Sequence, residues 1–312
     1  MRILNTIGEK YSERGKEILG QLGQVDYLSL TQNQLLEIAD KYNVIFVGLG
    51  LNLNKEFFDK AKNLKIIVTA TTGLDHIDVE YAKQKGVEIL SLRGENEFLN
   101  SITGTAELSF GLIISLLRYI PWSFDDVKNY KWNRESFRGY NLAGKTLGVV
   151  GVGRLGRMLV RYGKAFGMNV IANDPHAGDI ECEKVSFDEL IGRSDIISIH
   201  VHLSRETENM FNLEVFGKMK PNAFLINTSR GKIVNEDDLL IVLKDKKIAG
   251  YGTDVLADEL DFDKNFSNHP LVEYAKNNKN VIILPHTGGM TYESREMTDV
   301  FMAEKLKRFL NK

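Results

Sequence analysis

Three polar side chains in the second half of the chain each stand just beyond a short apolar run. Arg230 follows Ala223-Phe-Leu-Ile-Asn-Thr228. Glu259 lies five residues past the Asp254 that ends Gly250-Tyr-Gly-Thr-Asp254, and His286 follows Val281-Ile-Ile-Leu284 and Pro285. Such runs read as buried strands, and the strand ends of an open parallel sheet are where ligands bind. A guanidinium clamps a carboxylate with two parallel hydrogen bonds. An imidazole gives or takes a proton near neutral pH, and a neighbouring carboxylate fixes its tautomer. With a nicotinamide to move the hydride, this set suits interconversion of a 2-oxo acid and a 2-hydroxy acid. The residue types do not compel that reading. The chain has six histidines, and an arginine beside a strand serves as readily in a surface salt bridge.

A hydride carrier has its own signature at 149–156, Val-Val-Gly-Val-Gly-Arg-Leu-Gly. Gly151 suits a tight turn, Gly153 close backbone approach to a pyrophosphate, and Gly156 close helix packing. Glycine is 27 of 312 residues, so three at this spacing arise by chance roughly 0.2 times and need context. The context is there. Lys145-Thr-Leu-Gly-Val-Val150 precedes them as a strand, and Leu155, Met158, Leu159, Tyr162 and Phe166 follow at helical spacing, with the 162–166 aromatics expected in the core. Asn169-Val-Ile-Ala-Asn173 then ends in Asp174, 18 residues after Gly156. An acid there bonds ribose hydroxyls and repels a 2′-phosphate, which points to NAD over NADP.

These elements need a scaffold, and length favours two domains, since single cores stop growing near ~250–300 residues. Between residues 1 and 100, strands at 44–47, 65–68 and 87–90 alternate with helices at 54–62 and 78–85, with no glycine fingerprint. A helix is expected from Gly104 to Arg118, stopped by Pro121, followed by an irregular aromatic connection over 122–144. Strands at 146–150, 169–173, 195–201, 223–228, 249–254 and 281–284, with helices at 154–167 and 236–245, make a second alternation. One amphipathic helix spans 292–309. The fold class is therefore α/β, with parallel sheets covered on both faces.

Composition excludes other classes. Forty basic against 42 acidic residues give a net charge of −2, which lends no support to nucleic-acid or membrane-surface binding. The longest apolar run, Leu112-Ile-Ile-Ser-Leu-Leu117, is far short of the ~18 residues of a membrane span. The N-terminus lacks the apolar stretch of a signal peptide. The single cysteine, Cys182, has no internal partner, so a reducing cytoplasm is expected. No metal site is read.

The chain resembles the D-isomer-specific 2-hydroxyacid dehydrogenase family along nearly its whole length. Thr72-Gly-Leu-Asp-His-Ile-Asp78 resembles its substrate-domain loop, and Thr105-Ala-Glu107 the start of its interdomain helix. Leu142 to Gly156 is similar to its cofactor fingerprint. Asn227-Thr-Ser-Arg-Gly231, Thr253-Asp-Val255 with Glu259, and Pro285-His-Thr-Gly-Gly289 resemble its catalytic motifs. The resemblance implies two doubly wound domains. One is a flavodoxin-like substrate domain of residues 1–103 and 286–312, into which a Rossmann NAD-binding domain of residues 104–285 is inserted. Arg230 would bind the substrate carboxylate, with backbone amides around Thr72, Gly73 and Leu74. His286 would be the acid or base, paired with Glu259. Gly151, Gly153, Arg154, Leu155, Gly156, Asp174, Thr207, Thr228, Asp254, His286 and Gly289 would line the cofactor, and the assembly would be a homodimer built on the cofactor domains.

Three departures stand out. Where the family often has proline after the catalytic glutamate, this chain has Leu260 within an acidic run from Asp258 to Asp263, which leaves open which acid meets His286. His202 replaces a frequent proline, and reads as an exposed loop residue, while His76 reads as structural. Gly48 stands where phosphoglycerate-specific members often carry an arginine. Arg93 reads as a surface or interface residue. A phosphoglycerate, glyoxylate or hydroxypyruvate specificity remains open, as does a non-catalytic NAD(H)-sensing regulatory protein.

Overall fold

The computed structural model describes residues 1–259 and 266–311. Leu260 and the rest of the acidic run to Asp263 lie outside the described residues. The chain divides into two compact units, residues 1–102 with 290–312, and residues 103–289.

The first unit is built on β1 (Arg2–Asn5), β2 (Gln24–Tyr27), β3 (Val44–Val47), β4 (Ile66–Thr69) and β5 (Glu88–Leu90), all parallel in the order β2-β1-β3-β4-β5. That order is the flavodoxin-like winding. Every residue of β3 and β4 is buried, as continuous apolar runs in a sheet covered on both faces must be. Helices α1 (Glu13–Gly20), α2 (Gln32–Ile38), α3 (Lys55–Lys60), α4 (Val79–Gln84) and α5 (Asn96–Leu99) cover it. Leu35, Phe57 and Phe58 fill one face with Ile45 and Ile67.

The second unit carries β6 (Thr146–Val150), β7 (Asn169–Asn173), β8 (Glu183–Lys184), β9 (Ile196–Ile199), β10 (Phe224–Asn227), β11 (Gly250–Thr253) and β12 (Val281–Ile283). They are parallel in the order β12-β11-β10-β9-β6-β7-β8. The chain winds outward from β6 through β7 and β8, then restarts at β9 and winds the other way. The reversal between β6 and β9 is the topological switch point of a Rossmann sheet. The sheet is flanked by α6 (Gly104–Leu117), α7 (Ile120–Lys128), α8 (Arg154–Ala165), α9 (Phe187–Arg193), α10 (Leu213–Lys218), α11 (Glu236–Lys244) and α12 (Pro270–Asn277). The last helix, α13 (Tyr292–Leu310), belongs to the first unit, where Met302, Ala303 and Leu306 pack with Ile18 and Leu19 of α1.

Several expectations are corrected. The return to the first unit is expected at 286, and the two compact units divide at 289/290; the carboxylate of Asp254 holds the Thr287 and Gly288 amides at 2.7 Å. Pro121 does not merely end a helix. Tyr119 turns to φ 53°, and Pro121 then occupies the first turn of α7, where its missing N–H leaves no bond unmade. So part of the stretch read as irregular is helical. Phe166 is 49% exposed rather than core, though its ring still packs on Phe110 at 4.8 Å. Residues 96–117 are long and apolar enough to cross a membrane on length and composition. They form two helices, however, and Ala106, Phe110, Ile113 and Leu117 of the second lie in the core with Leu147, Val149 and Ile226.

Candidate active site

The glycine turn does steric work. Gly151 sits at φ 88°, where a Cβ would stand 2.7 Å from the His200 carbonyl oxygen. A Cβ on Gly156 would overlap the Gly151 carbonyl oxygen, so α8 lies directly on the turn. Gly153 is the N-cap of α8, and a Cβ there would meet no atom within 4 Å. The backbone at this helix N-terminus thus faces open space, as a pyrophosphate cradle requires. Arg154 and Leu155 follow, both half-buried, and burial holds the Arg154 guanidinium below its usual range.

Asp174 ends β7 beside this turn. Its Oδ2 accepts the Val152 N–H at 2.8 Å, and its Oδ1 accepts those of His176 and Ala177 at 2.8 and 3.0 Å. Burial raises its carboxyl, but the three amide donors outweigh that and hold it below the ordinary range. A fixed, ionised acid at the end of the second Rossmann strand suits ribose hydroxyls. The residues present therefore fit a dinucleotide.

The other candidates sit at the ends of β10, β11 and β12. Strand register sets Asn227 level with Thr253, and Thr253 level with Ile283, so the following loops leave the sheet at one edge. His286 and Glu259 meet there, Nδ1 to Oε1 at 2.7 Å, both partly buried. Among the described residues of the acidic run, Glu259 is thus the partner of His286. Glu259 Oε2 also accepts the Leu256 N–H at 3.3 Å. His286 takes φ 54°, a conformation costly for a side chain larger than glycine. Asp254 holds it there. That carboxylate is 1% exposed and accepts Thr287 N–H, Thr287 Oγ1–H and Gly288 N–H. Burial pushes the Asp254 carboxyl up, against the pull of those donors.

Arg230 is half-buried at the end of β10 and donates to the Ser229 carbonyl at 2.8 Å. Thr228 is buried, its Oγ1 2.6 Å from Ser109 of α6. Thr207 Oγ1 donates to the His202 carbonyl at 2.6 Å, and His202 itself is exposed. Gly289 is exposed at the end of the second unit. In the first unit, 72–74 form the half-buried loop after β4, anchored by Thr71 Oγ1–H on the Gly73 carbonyl at 2.7 Å. His76 is buried, its Nε2 3.3 Å from Thr69 Oγ1, and Arg93 is exposed. Sequence reasoning missed Glu236, whose Oε1 accepts the Ala257 N–H, and His269 beside it. Among the described residues no cluster of metal-ligating side chains forms.

The sequence profile described as "D-isomer specific 2-hydroxyacid dehydrogenase, NAD binding domain" matches residues 110–288. The chain belongs to that dehydrogenase family. A glyoxylate reductase from Thermococcus litoralis is 36% identical, over 88% of this chain and 82% of its own. A D-3-phosphoglycerate dehydrogenase from Methanocaldococcus jannaschii is 34% identical over 94% of this chain, which spans only 55% of that longer protein. The chain spans about half the length of the phosphoglycerate dehydrogenases it matches. The D-lactate dehydrogenase of Aquifex aeolicus, solved with NAD and lactic acid, superposes with a TM-score of 0.86 at 30% identity, over all of this chain and 96% of its own.

Proposed function

We propose that this dehydrogenase interconverts a D-2-hydroxy acid and its 2-oxo acid with NAD(H). The observation that carries the reading is the 2.7 Å contact of His286 Nδ1 with Glu259, in the same unit as the glycine turn and Arg230. The bound nicotinamide supplies or accepts the hydride at C2. With Nδ1–H donated to Glu259, the Nε2 of His286 gives a proton to the nascent alkoxide in reduction and takes it back in oxidation. Glu259 holds the imidazole in that tautomer and stabilises its cationic form. Arg230 clamps the substrate carboxylate and draws electron density from the 2-oxo group. Thr228, Asp254 and Gly289 would hold the nicotinamide side, and Asp174 would favour the unphosphorylated ribose.

Gly48 after β3 offers no cation, which favours a small unphosphorylated acid over phosphoglycerate. A homodimer through the second unit is supported by α7, which buries no side chain and exposes Ile120, Phe124 and Val127, followed by Tyr130 and Trp132, 100% and 89% exposed. The deciding experiment is a panel of glyoxylate, hydroxypyruvate, pyruvate and phosphohydroxypyruvate with NADH and NADPH. Turnover of an unphosphorylated acid with NADH at least about tenfold over NADPH is expected. Tight NADH binding with no turnover would favour a sensing role.

A further inference from the structure

Glu236 opens α11, and acids in a first helical turn ordinarily face water and offset the helix dipole. Its neighbour Asp237 is exposed in this way. Glu236 is not: its side chain is 15% exposed. Burial first, then the charges of Asp258, Asp237 and Glu259, push its carboxyl up to about 7, against the pull of the Ala257 amide. Its Oε1 accepts the Ala257 N–H at 2.9 Å, and its Oε2 lies 3.4 Å from His269 Nε2. Ala257 stands two residues before Glu259.

The same turn is gripped from the other side. Gly231, next to Arg230, lies so close to the Leu256–Ala257 peptide that a Cβ would overlap it. Within the turn, Leu256 N–H donates to Glu259 Oε2, and Glu259 N–H to the Leu256 carbonyl at 3.5 Å. With one oxygen so engaged, Glu259 has Oε1 for His286.

We propose that Glu236 is a positioning residue of the active site, whose hold on the Ala257 amide fixes the 254–259 turn so that Glu259 is presented to His286. It rests on the reading of Glu259 and His286 as the acid–base pair. Glu236 would act through the Ala257 amide, not on the reacting atoms. Without its acceptor oxygen the Ala257 N–H turns to water, and the direction of Glu259 is no longer set.

The test follows the far-downfield proton of the imidazole N–H bonded to a carboxylate, in the NADH-loaded chain with 15N-labelled histidine. It runs beside kcat and KM for the fastest of the four acids above. The wild type shows the resonance, and His286→Ala removes it. Glu236→Gln keeps an acceptor oxygen, and retains the resonance and at least about a third of kcat. Glu236→Ala, and the size-matched Glu236→Met should the smaller residue disturb folding, lose or broaden it. In both, kcat falls about tenfold while KM and the NADH dissociation constant change less than about twofold. An unchanged resonance with unchanged kcat overturns the proposal, as does a parallel loss of NADH binding. If no acid turns over, the functional reading fails, and the resonance still decides the role of Glu236.

Discussion

The two halves of the second sheet build their sites in opposite ways. Around β6 and β7 everything lies within residues 151–177, and it works through backbone: glycines that let chains touch, and amides that hold Asp174. Around β10, β11 and β12 the site works through side chains, drawn from loops 27 to 56 residues apart in sequence. What joins them is strand register, which sets 227, 253 and 283 level. A local backbone site is fixed by spacing, whereas a register-built one needs the sheet before its members meet.

The largest expected effect separates the halves outright. Arg230→Ala and His286→Ala each lower kcat/KM about 10³-fold or more, while NADH affinity by fluorescence titration stays within about threefold. Turnover near the wild-type rate in either variant breaks the division of labour. Next is Gly156→Ala, whose Cβ would overlap the Gly151 carbonyl oxygen. It weakens NADH binding at least about tenfold and costs about 1–3 kcal/mol in denaturant unfolding. Normal binding would show that the turn tolerates displacement.

The finest probe is pH. Asp174 is held below the ordinary carboxylate range, so its stabilisation is present at neutral pH and lost as pH falls through that range. Glu236 runs the other way. The unfolded chain loses this proton near its ordinary 4.5, but the folded chain only near 7. Stability therefore falls as pH rises across that window, by at most about 3 kcal/mol. In urea unfolding from pH 2 to 9, Asp174→Asn loses ground to the wild type at neutral pH and recovers it only as pH falls below the ordinary 3.8. Glu236→Gln gains ground as pH rises from 4.5 to about 7, and holds it above. Parallel curves for both variants would erase the contrast.

The same contrast explains what could be read without the fold. The fingerprint, Asp174 and the parallel α/β class were legible because periodicity and short-range spacing encode them. The strand-end positions of Arg230, Glu259 and His286 were legible too, but not their contacts. Two strands of the first sheet left no apolar run to find: β1 is only four residues long, and β2 reads Gln-Val-Asp-Tyr and buries little. The two residues of β8 are both exposed. Pro121 read as a stop because one residue type serves both to end and to begin a helix. Glu236 looked like a dipole acid, since nothing in the sequence tells which first-turn acid turns inward.

The two crossings between the units, at 102/103 and 289/290, also order events in time. Residues 103–289 leave the ribosome as one uninterrupted stretch and can close their sheet as soon as β12 emerges. The first unit starts earlier yet finishes later, because its core lacks Met302, Ala303 and Leu306 until the last helix is made. The N-terminal-first order usual for tandem domains is thereby inverted, and the nascent first sheet waits with part of one face uncovered.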